Sequence, residues 1–176
     1  MTQRRDFLKH VSALAALGSL PVIGRAAPLR ERTLRLYNTH TGEAIRTIYW
    51  ADGAFIAESM QDINKLLRDH RNNQIAVIDP RLVLLLDQVS SQVKPGSDIH
   101  IISGYRSPAS NQLLADTTNG VARHSMHLEG RAIDLRMPGV PLASLRQAAL
   151  NAAGGGVGYY PDSQFVHIDT GRLRHW

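Results

Sequence analysis

The chain has 176 residues, of which 43% are hydrophobic and 20% charged, and its formal net charge is +5. This composition is typical of a globular protein, and the length predicts one domain with at most a short appendage. The absence of cysteine excludes disulfide scaffolds, cysteine-ligated metal sites and cysteine nucleophiles.

Residues 1–26 have the order of an export signal, in which charged residues precede an apolar run and small residues. The pair Arg4-Arg5 is typical of a twin-arginine (Tat) signal. We therefore expect a signal peptide at 1–26 and a single domain at 27–176 that works in the periplasm. The alternative for these first residues is a basic amphipathic helix.

The positive charge is concentrated in this N-terminal segment. Residues 27–176 keep 16 basic against 14 acidic side chains, a net charge of only +2. That balance argues against a nucleic-acid partner, which needs a clustered basic face. The chain also lacks the long apolar run of about 18 residues that a transmembrane helix requires, so no membrane insertion of the mature chain is expected.

The first half of the mature chain predicts a hairpin followed by two helices. Residues 34–38 and 44–50 have strand composition on either side of a loop at 39–43. Residues 55–71 carry apolar side chains at helical spacing. Asp79-Pro80 is typical of a helix start, and the second helix is predicted to run to about Val93.

The second half mixes short strands and helices. Strands are predicted at 99–102, 131–137, 157–160 and 165–169, and helices at 107–114 and 141–153. The last two strands are expected to pair antiparallel. Because strands and helices do not alternate regularly, we predict a single α+β domain with an antiparallel sheet and helices packed on it, rather than a doubly wound fold.

Candidate metal ligands occur in two segments of this half. His127 and Asp134 are too far apart for one helical face, but they suit a loop and a following strand, with Gly130 permitting the bend. His167 and Asp169 alternate along one strand and so share a face. Two histidines and one carboxylate, here His127, Asp134 and His167, are typical of a catalytic zinc site with one position open to water.

Other interpretations of these histidines stay open. Cu(II) or non-haem iron could bind similar groups, and a lone histidine is often only structural. His40, His70 and His100 have no motif around them, and we expect them to be solvated or packing residues. If a metal site exists, the reaction class that follows is metal-assisted hydrolysis of an amide.

The pattern Ser-x-His-x-x-Gly-x-Ala-x-Asp at 125–134, followed by a later histidine in a strand, resembles the LAS-type zinc peptidases of family M15. Ser-Gly-Tyr-Arg-Ser at 103–107 is similar to a segment of the same family. Likeness to the Tat-exported murein endopeptidase K branch extends over nearly the whole mature chain, including segments 38–43, 155–161, 165–171 and 174–176. The resemblance implies a LAS/hedgehog-type zinc peptidase fold.

Carried over residue by residue, the resemblance implies that His127, Asp134 and His167 bind Zn²⁺. It implies that Arg106 holds a substrate carbonyl or carboxylate and that Ser125 lines the substrate pocket. A guanidinium is always charged and can donate two parallel hydrogen bonds to a developing oxyanion. The alternatives are a structural ion pair for Arg106 and a turn cap for Ser125.

The general base does not carry over, because the positions that relatives use hold Gln164 and Phe165. Asp169 is the nearest strand-mate carboxylate. Two roles stay open for it: general base, or orientation of a metal-bound imidazole through a hydrogen bond. The weaker candidates for the base are Asp162, Glu129 and His124.

The resemblance thus implies a periplasmic zinc metallopeptidase that cleaves peptide cross-links between the stem peptides of peptidoglycan. Two other functions fit the same residues. One is a D-Ala-D-Ala-type carboxypeptidase that trims stem peptides. The other is a non-catalytic zinc-containing module that binds the cell wall.

Overall fold

The structure, a computed structural model, describes residues 31–117 and 124–176. The expected signal peptide at 1–26 lies outside the described residues. The strands are β1 (Arg32–Asn38), β2 (Ala44–Ala51), β3 (Ala54–Phe55), β4 (Ile99–Ser103), β5 (Ala132–Arg136), β6 (Gly156–Tyr160), β7 (Phe165–Asp169) and β8 (Arg174–His175). The helices are α1 (Ala57–Leu66), α2 (Pro80–Val93), α3 (Pro108–Thr117) and α4 (Leu142–Ala152), with a 3₁₀ turn at Met126–Glu129.

The predicted N-terminal hairpin is confirmed. Strands β1 and β2 pair antiparallel, with Leu36 opposite Ile45. Asp52 and Gly53 both have positive φ, 52° and 83°, the backbone of a tight hairpin turn. This turn sends the chain back as β3, a two-residue strand that the sequence did not predict.

The two predicted helices of the first half form, but α1 ends at Leu66 rather than at residue 71. In the loop that follows, the buried Asp69 side chain accepts hydrogen bonds from the backbone of Arg71 and Ser107. Helix α2 has the expected bounds. The Asp79 side chain accepts from the backbone N–H of Arg81, and Pro80 occupies the first helical position.

The sheet is mixed, and the expectation of an antiparallel sheet is wrong in this respect. Its strand order is β3-β2-β1-β4-β5-β7-β6-β8. Strand β4 returns parallel to β1 after the long connection through α1 and α2, as a parallel pair requires. Strand β8 also lies parallel to β6. The predicted β6–β7 pair is antiparallel, and the domain has the expected α+β mixture of elements.

Alternation along the central strands separates the core from the opposite face of the sheet. Ile133 and Leu135 of β5, with Val166 and Ile168 of β7, are buried in the hydrophobic cluster that includes apolar side chains of α1, α2 and α4. The residues between them therefore point to the other face. Within the described ranges, no helix has both the length and the apolar character needed to cross a membrane.

Candidate metal centre

Two potential ligands face each other across neighbouring strands. Asp134 of β5 is the register partner of His167 of β7. Both lie on the face away from the core, and Nδ1 of His167 is 2.8 Å from Oδ1 of Asp134. The backbone ladder of the sheet therefore determines this half of the site.

The third potential ligand comes from the 3₁₀ turn before β5. The Ser125 side chain accepts from the backbone N–H of His127 at the start of the turn, and Gly130 ends it with a φ of 65°. This geometry places Nε2 of His127 3.3 Å from Oδ2 of Asp134. One donor atom from each of His127, Asp134 and His167 lies within 4.8 Å of the others.

The far nitrogen of each imidazole is also bonded. Nδ1 of His127 is 2.7 Å from the carbonyl oxygen of Gly104, and Nε2 of His167 is 3.0 Å from Oδ2 of Asp169. Both oxygens are acceptors, so these nitrogens donate, and Nε2 of His127 and Nδ1 of His167 are left toward Asp134. Metal-binding histidines have this arrangement, in which a carbonyl or carboxylate orients the ring. The donor set therefore fits a metal ion such as zinc.

The three side chains are buried, with 3%, 7% and 8% exposure for His127, Asp134 and His167. Burial acts to raise the pKa of Asp134, but the charge of His127 and hydrogen bonds from both imidazoles outweigh it and hold that pKa well below its usual range. Burial opposes protonation of His167, yet its hydrogen bonds to Asp134 and Asp169 raise its pKa. The carboxylate at the centre is thus ionised, which favours a cation.

Asp169 is fully enclosed behind His167. Its Oδ1 accepts from the backbone N–H groups of Gly156 and Gly171, and Arg174 donates to Oδ2 at 2.6 Å. Burial acts to raise the pKa of Asp169, but hydrogen bonds from His167, Arg174 and the two amides keep it well below its usual range. A carboxylate with its oxygens so engaged accepts a proton poorly. Of the two roles left open by the sequence, the geometry favours orientation of His167.

A cleft of about 630 Å³ lies over this cluster. Arg106, Ser125 and His124 line it, as do Tyr160 and Trp176. Asp162 and Glu129, the weaker candidates for a base, are not among its described lining residues. Asp134 is the sole carboxylate that the described part of the chain contributes to the wall.

His40 and His70, which the sequence predicts to be solvated or packing residues, also line the cleft. They lie on separate loops, and no local spacing links them. His40 lies within segment 38–43, which carries part of the family resemblance, and that segment was the one signal that could have indicated a role. His100 lies outside this cleft, with its ring 4.9 Å from that of Tyr37.

Arg106 is positioned by the loop between β4 and α3. Its backbone N–H donates to the carbonyl of His127 at 3.1 Å, which fixes it relative to a potential metal ligand. Its Nη1 donates to Asn111 at 3.4 Å, and its buried Nε has no hydrogen-bond partner among the described residues. Burial lowers the pKa of Arg106, while the charge of Asp134 acts in the opposite direction. The unpaired Nε–H is enclosed by the protein, whereas the residue as a whole lines the cleft.

Ser125 combines the two roles considered for it. Its Oγ accepts from the backbone N–H of His127 at 3.3 Å and so caps the 3₁₀ turn. The same side chain is part of the cleft wall. Its position thus links the turn that carries His127 to the surface that a substrate would touch.

The family model described as "Peptidoglycan L,D-endopeptidase MepK" matches residues 26–176. The protein of that name from Escherichia coli K12 is 41% identical over 169 residues, covering 96% of this chain and 93% of its own length. A Haemophilus influenzae protein named "Probable peptidoglycan L,D-endopeptidase MepK" is 35% identical over 176 residues, covering 98% of this chain and 95% of its own length.

Among solved structures, the crystal structure of the Serratia marcescens L-Ala D-Glu endopeptidase ChiX has a TM-score of 0.36 and 21% identity. It covers 43% of this chain and 62% of its own, a likeness too partial to support a conclusion about fold or function. The match to the family model and the alignments over nearly the full length of both chains establish the family. The chain belongs to the M15-type metallopeptidase family described as peptidoglycan L,D-endopeptidase MepK.

Proposed function

We propose that this chain is a zinc-dependent murein endopeptidase that hydrolyses peptide cross-links between peptidoglycan stem peptides in the periplasm. The convergence of His127, Asp134 and His167 beneath one cleft carries the proposal. The peptidoglycan endopeptidase names of its relatives support the substrate class. The Arg4-Arg5 pattern of residues 1–26 supports Tat export, with residues 27–176 as the working domain.

Zinc suits this donor set. Two imidazole nitrogens and one carboxylate are a frequent set for catalytic zinc, and they leave one coordination position for water or substrate. When bound, zinc polarises a carbonyl and makes water a stronger acid. The protein's own contribution is the orientation of the two rings, through the Gly104 carbonyl and the Asp169 carboxylate.

Arg106 is the group best placed to stabilise developing negative charge. Its guanidinium lines the cleft, and its backbone is bonded to the turn that carries His127. Guanidinium N–H groups that face the cleft can donate to the oxygen of the scissile carbonyl as that oxygen becomes charged. A donor already in place for this oxygen needs no rearrangement during the reaction.

His124 is the side chain we assign to proton transfer. It is exposed, it lines the cleft, and it lies three residues before His127. Imidazole is the most frequent general acid or base in enzymes. Asp169 instead acts as a positioning residue, because its oxygens are occupied by His167, Arg174 and backbone amides.

Digestion of purified sacculi tests the proposal. The zinc-loaded enzyme should convert cross-linked muropeptide dimers to monomers, as followed by liquid chromatography and mass spectrometry. A chelator, or the substitution His127→Ala or His167→Ala, should abolish both metal binding and cleavage. His100→Ala is the matched control, since His100 lies outside the cleft, and it should retain both.

The same digestion separates the other two functions. Release of free alanine with intact dimers would show a D-Ala-D-Ala-type carboxypeptidase. Retention of zinc and binding to sacculi, with no released product, would show a cell-wall binding module. Full cleavage by either histidine variant would contradict the metal-dependent mechanism.

A further inference from the structure

The cleft contains a second group of polar side chains whose role the metal centre does not explain. The imidazoles of His40 and His70 are stacked, with ring centroids 3.8 Å apart and an angle of 8° between the planes. Both rings and the neighbouring Arg71 line the same cleft as Arg106. Two histidines from loops 30 residues apart thus meet on the wall of a candidate active site.

His40 is held on a tightly bonded turn. The buried Asn38 accepts from the backbone N–H groups of His40 and Thr41 at 2.9 and 3.2 Å, and it donates to the carbonyl of Leu66 at 2.9 Å. Thr39 donates to the carbonyl of Ile101 through both its backbone and its hydroxyl, each at 3.0 Å. The turn is therefore fixed to both α1 and β4.

The loop that carries His70 and Arg71 has its own anchor. Asp69 is 1% exposed; its Oδ1 accepts from the backbone of Arg71 at 3.0 Å and its Oδ2 from the backbone of Ser107 at 2.9 Å. Ser107 directly follows Arg106. The loop is thereby tied to the segment that presents Arg106 to the cleft.

A salt bridge joins these two anchored loops. Arg68 donates to both carboxylate oxygens of Glu43, at 2.6 and 3.2 Å. A bidentate pair of this kind adds geometric definition as well as attraction. The stacked rings are consequently pre-positioned, as the polar groups of a binding site need to be.

The charge of this wall favours an anion. Arg71 and Arg106 are arginines of the cleft with no carboxylate in salt-bridge contact among the described residues, whereas Arg174 is paired with Asp169. Burial first, and then the proximity of His40, lower the pKa of His70 to about 4. His70 is therefore neutral at neutral pH, and its imidazole offers an N–H donor next to the Arg71 charge.

We propose that His40, His70 and Arg71 form a carboxylate subsite, which binds a free carboxylate of the stem peptide while the cross-link lies at the metal centre. The identity of this ligand rests on the proposed function, and the subsite deepens it by naming the feature of the peptide that is recognised. Charge-assisted hydrogen bonds from a guanidinium and imidazole N–H groups are the contacts that a carboxylate prefers.

Two substrates and three variants test the subsite. The substrates are a cross-linked muropeptide dimer with free carboxylates and the same dimer after amidation. Arg71→Met should raise the KM of the free dimer about tenfold, with kcat little changed, because one charge-assisted contact is lost. Its effect on the amidated dimer should be much smaller. Arg71→Lys, which keeps the charge, should have a KM for the free dimer close to that of the wild type. Arg46→Met, on an arginine outside the cleft, should leave both KM and kcat unchanged.

Binding without turnover separates this proposal from the function itself. Titration calorimetry of the zinc-loaded protein with an uncross-linked stem peptide should show weaker binding for Arg71→Met and for His70→Phe, which retains a ring. That result, with no cleavage of dimers by the wild type, would leave the subsite in place and overturn the endopeptidase. If the wild type cleaves both dimers and Arg71→Met raises the KM of both by the same factor, the subsite alone would be overturned.

Discussion

Asp169 supports His167 from behind, with its Oδ2 3.0 Å from Nε2 of the imidazole. The carboxylate is fully buried and bonded to Arg174, so its orientation is fixed by the protein rather than by the ring. The ring can then present only Nδ1 to Asp134. This relationship makes Asp169 part of the candidate metal centre although it is not one of the three potential ligands.

Asp169→Asn should lower the affinity for zinc by about 10- to 100-fold, the usual effect of losing a carboxylate behind a metal-bound histidine. Competition with a chromophoric chelator measures this affinity, and excess zinc should restore much of the activity. Asp162→Asn, at an exposed carboxylate, is the control. Unchanged zinc affinity together with a large loss of kcat would instead identify Asp169 as the general base.

Arg106→Lys should reduce kcat by about 100-fold or more while the zinc content stays constant. Lysine keeps the charge but loses the planar set of donors that a guanidinium offers to an oxyanion. Steady-state kinetics on purified dimers, with the metal content measured on the same samples, checks the result. A variant with normal kcat would remove Arg106 from the reaction.

Gly104→Ala should destabilise the fold by about 1–3 kcal/mol, as overpacking does. A Cβ at this position would lie 2.5 Å from the carbonyl oxygen of Leu67 and 2.9 Å from its Cβ. Zinc affinity should also fall, because the Gly104 carbonyl accepts from Nδ1 of His127. Urea unfolding and zinc titration measure the two effects.

Gly96→Ala provides the comparison for that variant. Gly96 has a positive φ of 70° but nothing within 4 Å of the added Cβ. Its substitution should cost only backbone strain, about 1 kcal/mol, and leave zinc affinity unchanged. Equal zinc affinities for the two alanine variants would contradict the role given to Gly104.

His70 should make the stability of the fold depend on pH. Burial and the nearby His40 lower the pKa of its imidazole to about 4 in the folded chain, against 6.5 as the ordinary value. As pH falls through that interval, the unfolded chain binds a proton that the folded chain does not. The free energy of unfolding should therefore be highest above pH 6.5 and should decrease toward pH 4.

Urea unfolding across this range, in chelator to exclude metal effects, checks the direction of the change. His70→Asn should show a smaller decrease between neutral and acid pH than the wild type. Parallel pH profiles for the two proteins would show that His70 does not titrate in this way.

Local sequence signals predicted most helices and strands, because the start of a helix and the alternation of a strand depend on neighbouring residues. Asp79-Pro80 defined the start of α2, and the alternation at 165–169 placed His167 and Asp169 on one face. The parallel pairing of β1 with β4 could not be predicted, since one alternating pattern suits either strand direction. That pairing depends on a connection of about 60 residues and on how its helices pack.

For the candidate site too, the sequence predicted one part, and the rest depends on tertiary contacts. The spacing of His127, Asp134 and His167, with the family resemblance, indicated the metal centre. Its surroundings depend on tertiary contacts: Asp169 is enclosed by Arg174 and by amides from two other segments. The stack of His40 on His70 likewise exists because Asn38 and Asp69 anchor separate loops, which no local pattern reveals.

The register of β5 and β7 has a consequence for how the ion is acquired. Asp134 and His167 are register partners in the backbone ladder, so two of the three potential ligands come together as the sheet forms. A chelator should accordingly remove the metal ion and leave the domain folded. Metal loading then becomes an exchange between the folded domain and its surroundings, with no unfolding step.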